Sequence, residues 1–214
     1  MKPLITKSTD AGITTTDTGG FIGYAARFLN IDRQGDIILP GAFQKSIQEF
    51  MDSGGLVLSD HENKTSAVIG TLNDATEDRS GLKVDVTFSA TKAGQDIRTL
   101  LREKAVRKMS ISFLARQPER LSKKQVSELW DRYGYKPNAT QIRLSEKGAN
   151  LIKEVSEIIE VSVVPIPANS DASIISVKAH SDDETPTPVV DAKHLSELFR
   201  RAELADSILT AAKR

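Results

Sequence analysis

Cysteine is absent from the chain. That removes three classes of protein at once: a disulfide scaffold, a thiolate zinc site and a cysteine nucleophile. A chain of 214 residues does not need such staples, because a domain of this size buries roughly 70% of the surface it exposes when unfolded. An excess of one charge is absent too. The 29 basic side chains balance 29 acidic ones, which argues against a general nucleic-acid binder held by phosphate contacts. No apolar run approaches the ~20 residues that span a bilayer, and residues 1–6 lack the apolar core of a signal peptide. The expectation is a cytosolic protein with no membrane partner and no nucleic-acid partner. Glycine-rich phosphate loops and a regular strand–helix alternation are also missing. Histidine is scarce: His61, His180 and His194 are the only imidazoles available for acid–base chemistry near neutral pH.

The chain is richest in short strand-like segments. Residues 20–28 mix aromatic and small side chains with glycines that permit bulging, and a turn-rich loop follows at 30–36. Pro40-Gly41 ends the next extended piece, and apolar positions 43, 47, 50 and 51 predict a helix over 42–51. Strands are expected at 56–59, 67–72, 81–88, 106–114 and 153–164, with strict alternation in 81–88. A helix is expected over 91–104, capped by Thr91, with Ile97, Leu100 and Leu101 on one face. Residues 117–150 are polar and charged. They predict a short helix over 125–133, a loop over 134–141, and an insertion or mobile flap as a whole. Residues 1–179 are taken as one domain with its core at about 20–175. An acidic, proline-bearing linker follows at 180–190, and then an amphipathic helix at 191–214 whose apolar positions include Leu195, Leu198, Phe199 and Leu209. Such a helix after a linker suits docking onto a partner or a second copy of the chain, so a homodimer contact is expected. The predicted fold is mixed α+β: an antiparallel β-barrel surrounded by helices, plus the C-terminal helix.

Four positions could carry chemistry. His61 follows the apolar strand 56–59 in a polar loop, which suits a general base and equally suits a surface histidine. Ser110 and Ser112 lie two residues apart on a strand and so share a face, while Met109, Ile111 and Phe113 take the other. A strand serine becomes a nucleophile when an imidazole is in reach, and is otherwise one polar position of a half-polar strand. Glu160 lies among β-branched residues and either meets water or is held by a partner such as a histidine. His180 and His194 have no ligand spacing around them, so no metal and no cofactor is expected.

Taken in order, these segments resemble the tailed-phage prohead maturation proteases. Gly23-Tyr24-Ala25 is followed by Asp32-Arg33-Gln34-Gly35-Asp36 and then Pro40-Gly41-Ala42-Phe43, a D-x-x-G-D-x-x-x-P-G-A-F block. An apolar strand ending in His61 comes next, then Ile69-Gly70, Gly81-Leu82-Lys83-Val84, Met109 to Phe113, and finally Glu160-Val161-Ser162 with Pro167-Ala168-Asn169. The resemblance covers about 20–175 and extends to the herpesvirus assemblins. It implies a serine endopeptidase with His61 as base, Ser110 as nucleophile and Glu160 as the group that orients the base. Ser112 stands where the family often has glycine; it could crowd the nucleophile, donate a hydrogen bond to it, or be the nucleophile itself. The resemblance further implies that scaffold protein, the scaffolding domain of the major capsid protein and the protease itself are cleaved inside the procapsid in the host cytoplasm. The C-terminal segment would be a tether or a piece trimmed by self-cleavage. The rival expectation is a catalytically silent capsid assembly or scaffolding factor on the same fold.

Overall fold

Strand β1 (Gly20–Arg27) is followed by the short β2 (Asp36–Ile38), helix α1 (Ile47–Asp52), β3 (Leu56–Ser59), β4 (Val68–Glu77), β5 (Gly81–Phe88), α2 (Lys92–Arg102) and β6 (Lys108–Ala115). Then come β7 (Glu119–Leu121), α3 (Lys123–Tyr133), α4 (Ala139–Ser145), β8 (Ala149–Ile152), β9 (Val155–Val164) and β10 (Ile174–Lys178). The computed structural model describes residues 19–178. The expected linker at 180–190, the helix at 191–214, His180 and His194 lie outside the described residues.

Seven strands form one sheet in the order β10-β1-β5-β4-β3-β9-β6. The alternation of β5 puts Leu82, Val84, Val86 and Phe88 inside, where they meet Phe21, Val57, Ile69 and Val161. Gly81 has to be glycine, since a Cβ there would lie 2.0 Å from the Ala26 carbonyl oxygen. Thr91 accepts the Gly94 N–H and caps α2 as expected. The helix expected over 42–51 starts later, at Ile47. The Phe43 N–H is taken by the Glu77 carboxylate at 2.8 Å, and turns occupy 40–46.

The expected closed antiparallel barrel is not what forms. The sheet is open and curled, a half-barrel that turns through 207° with its edges 6 Å apart. One bridge between Lys108 and Ser173 links the two edges, and the Ile174 N–H donates to the Arg107 carbonyl at 3.0 Å. Among the described residues no continuous ladder joins β6 to β10, and bulges at Ile22/Gly23 and Ser112/Phe113 bend the pairings beside the two edges. Nor is the sheet wholly antiparallel: β3 runs parallel to β9, with Val57 opposite Val161 and Ser59 opposite Val163.

The segment 117–150, read as an insertion, carries β7, α3, α4 and β8. β8 pairs parallel with β2, making a three-stranded sheet in the order β2-β8-β7. A second apolar cluster forms there from Ile31, Ile37, Leu121, Val126, Leu129, Trp130, Ala149 and Leu151. Part of the loop expected over 134–141 is the start of α4, capped by the Asn138 side chain on the Gln141 N–H at 3.0 Å. Its apolar stripe is weak because its most buried side chain is a glutamine. Gln141 accepts the Ile31 N–H at 2.5 Å and donates to the Ile31 carbonyl at 3.0 Å, as a neighbouring strand would.

Phe43 joins the turn after Pro40-Gly41 to the main core. It is fully buried, stacks on Phe28 at 6.3 Å and meets Phe113 of β6 edge-on at 5.8 Å. Phe43→Ala is expected to cost about 3–5 kcal/mol of stability, read as a lower urea midpoint, and Phe43→Leu a smaller amount.

Candidate active site

The chain leaves β3 through two consecutive residues in the left-handed region, Asp60 at φ 56° and His61 at φ 59°. Neither is glycine, and each such residue costs on the order of 1–2 kcal/mol. Three backbone hydrogen bonds hold the turn. The Asp60 N–H donates to the Val163 carbonyl, the His61 N–H to Ser162 Oγ and the Glu62 N–H to the Ser59 carbonyl, each at 3.1 Å. This reversal brings the His61 ring back over β9.

On β9, Glu160 and Ser162 share a face. Their neighbours on β6 are in register: Ser112 lies opposite Glu160, and Ser110 opposite Ser162. His61 Nδ1 lies 2.6 Å from Glu160 Oε1, and Ser162 Oγ donates to Glu160 Oε2 at 2.5 Å. The Glu160 side chain is 6% exposed and that of His61 38%. A buried carboxylate needs partners for both oxygens, and these two supply them.

Two of the three expected site residues, His61 and Glu160, are thus in direct contact. Ser110 is 3% exposed and lines the same cleft as His61, but among the described residues it makes no hydrogen bond to the ring. Ser112 Oγ is 3.3 Å from His61 Nδ1. That is the nitrogen already facing Glu160. An Nδ1–H donated to a carboxylate leaves no lone pair on Nδ1 for a serine hydroxyl to reach. The nitrogen left to accept a proton is Nε2. Ser112 therefore flanks the acid side of the ring rather than its basic side. Ser162 had no role in the sequence reading; a serine two residues after a strand glutamate shares its face, which was the available signal.

The cleft is about 440 Å³. One wall is β6, where the four consecutive residues 110–113 all contribute. Side chains of consecutive strand residues alternate in direction, so a cleft that touches all four runs along the strand's edge. The register agrees. The Val163 carbonyl faces Asp60 on the β3 side, so the main chain of Ser162 faces β6 and bonds Ser110. The main-chain groups of Met109 and Ile111 then point away from β9; Met109 is buried beside the bridge to Ser173, and Ile111 lines the cleft.

The opposite wall is built from two distant segments, 32–34 and 166–169. Asn30 and Asn169 bond each other reciprocally through their amides, at 2.8 and 3.0 Å. The Arg33 N–H donates to the Ala168 carbonyl at 3.0 Å, and Arg33 Nη1 to the Pro167 carbonyl at 3.1 Å. Asp32 shapes the loop by accepting the Gln34 and Asp36 N–H groups on Oδ1, at 2.8 and 2.9 Å. Burial pushes the Asp32 carboxyl above its ordinary value, against the pull of those backbone donors. Among the described residues, no group of His, Asp and Glu is arranged to hold a metal ion.

A carboxyl whose pKa rises on folding stabilises the fold while protonated, and that contribution is lost as pH rises through the raised value. Wild-type melting temperature should therefore gain a component as pH falls toward the aspartate range. Asp32→Asn keeps an acceptor for both N–H groups and should lack that component. Asp32→Ala removes the acceptor and should cost about 1–3 kcal/mol at neutral pH. Melting curves of the three proteins against pH check this.

The family profile described as caudovirus prohead serine protease matches residues 2–187. The prohead protease of Enterobacteria phage HK97 is 27% identical over 168 residues, which cover 78% of this chain and 64% of that protein. No solved structure matches the chain.

Proposed function

Because the chain belongs to the caudovirus prohead serine protease family, we propose that it is a serine endopeptidase in which Ser110 is the nucleophile, His61 the base and Glu160 the group that orients the base. The observation that carries this reading is the 2.6 Å contact between His61 Nδ1 and Glu160, at the mouth of a cleft that Ser110 lines. Glu160 holds the Nδ1–H, which leaves Nε2 to take the Ser110 proton as Oγ attacks a peptide carbonyl. The same proton passes to the leaving amine. Water then attacks the acyl-enzyme, gives a proton to His61 and releases the acid, and Ser110 regains its hydrogen. A proton-transfer bond between Ser110 and His61 that forms only when substrate enters fits this mechanism.

The substrate lies as an extended strand along the β6 edge, paired with the main chain of Ile111, so that its carbonyl comes to rest beside Ser110. The substrates are scaffold protein, the scaffolding domain of the major capsid protein and the protease itself, cut inside the assembling procapsid in the host cell. One observation favours the rival reading of a catalytically silent assembly factor: Ser110 makes no hydrogen bond to His61.

A fluorophosphonate probe separates the readings, since Oγ displaces fluoride from phosphorus only when its proton is removed. Labelling should map to the peptide containing Ser110. It should vanish in Ser110→Ala and His61→Ala and persist within about five-fold, ~1 kcal/mol of barrier, in Ser112→Ala, because Ser112 makes only a 3.3 Å contact with Nδ1 and holds neither Glu160 oxygen. In cells, the Ser110→Ala variant should leave the procapsid proteins at full length on a denaturing gel. Normal maturation with that variant would overturn the assignment.

A further inference from the structure

We propose that Ser162 is a positioning residue that locks the acid and the base of this site into one geometry; the inference rests on the reading of His61 as base and Glu160 as its partner. Ser162 is fully buried. Its hydroxyl donates to Glu160 Oε2 at 2.5 Å and accepts the His61 backbone N–H at 3.1 Å. A serine hydroxyl has one hydrogen and two lone pairs. The hydrogen is committed to the carboxylate, so the bond from His61 falls on a lone pair and the direction of both bonds is settled.

Each bond does something the other contacts do not. Through Oε2, Ser162 fixes the plane of a carboxylate that His61 alone would hold by one oxygen and leave free to swing about its last torsion. Through the His61 N–H, it fixes the backbone of a non-glycine residue in the left-handed region, at φ 59°. The ring and the carboxylate are therefore referenced to one atom on β9. Ser162 does not serve as a nucleophile, because its proton is held by Glu160 and the side chain is closed to solvent.

The test measures labelling of the full chain by the fluorophosphonate probe over a range of probe concentrations. It also records the proton NMR signal of the His61 Nδ1–H, which a short bond to a carboxylate shifts far downfield. Ser162→Ala should slow labelling at saturating probe by roughly 10–100-fold, the cost of a small misplacement of the base. Half-saturation should stay within about two-fold of wild type, because the cleft wall is intact. The downfield signal should be lost. Ser162→Thr, which keeps the hydroxyl, should restore both rate and signal. Labelling of Ser162→Ala at the wild-type rate, or an unchanged downfield signal, would overturn the proposal. If circular dichroism finds Ser162→Ala unfolded, the comparison passes to Ser162→Cys, whose thiol fills the space but donates weakly. Slowed labelling there supports the role, and wild-type labelling refutes it. Failure of the underlying reading has a separate mark: His61→Ala would then label as fast as wild type.

Discussion

A carboxylate taken out of water loses several kcal/mol of solvation unless charged or hydrogen-bonding groups replace it. Glu160, on the interior strand β9, is in that position, and the surrounding architecture is what replaces the water. The parallel pairing of β3 with β9 is essential to this. It ends β3 beside Val163, three residues past the glutamate. A left-handed turn of two residues then carries His61 back to Glu160. Antiparallel pairing would end β3 at the other end of β9, out of reach of the acid. The 38% exposure of the His61 side chain follows from the same geometry. The ring is anchored at its inner nitrogen and open to the cleft beyond it.

The second constraint is the wall across the cleft. Segment 30–36 has little regular structure of its own, and its shape comes from what holds it. From one side, Gln141 of α4 and the Trp130 indole N–H of α3, which donates to the Leu29 carbonyl at 2.7 Å, fasten its entry. From the other, Asn169 and the Ala168 carbonyl tie it to the turn after β9. The second apolar cluster therefore bears on the cleft although none of its helices lines it. The D-x-x-G-D and Pro-Ala-Asn blocks, far apart in sequence, form one wall.

Much of the candidate site's arrangement is legible in the sequence, through different kinds of signal. The shared face of Ser110 and Ser112 follows from the two-residue period of a strand. His61 and Glu160 stood out through the order of motifs, not through their local surroundings, since a loop histidine and a strand glutamate are both common. The contacts of Ser162 had no such signal, because one of them depends on a turn a hundred residues earlier. The helix α4 was read partly as loop for a related reason: its buried Gln141 is satisfied only by the Ile31 backbone. Barrel closure was misread because alternation along each strand is the same in an open sheet and a closed one.

The amino-acid pattern by itself determined which residues face the core, where α2 is capped and that no thiol can serve nucleophilic chemistry. These depend on neighbours a few positions away and on the atoms the chain contains. Only the tertiary structure decided that β3 and β9 run parallel, that the sheet is open and curled, and that Glu160 engages Nδ1, so that Ser112 lies on the Nδ1 side of the ring and Nε2 is left away from the carboxylate. Those outcomes depend on the register between strands about a hundred residues apart, and a shift of one residue would turn every one of these side chains to the opposite face.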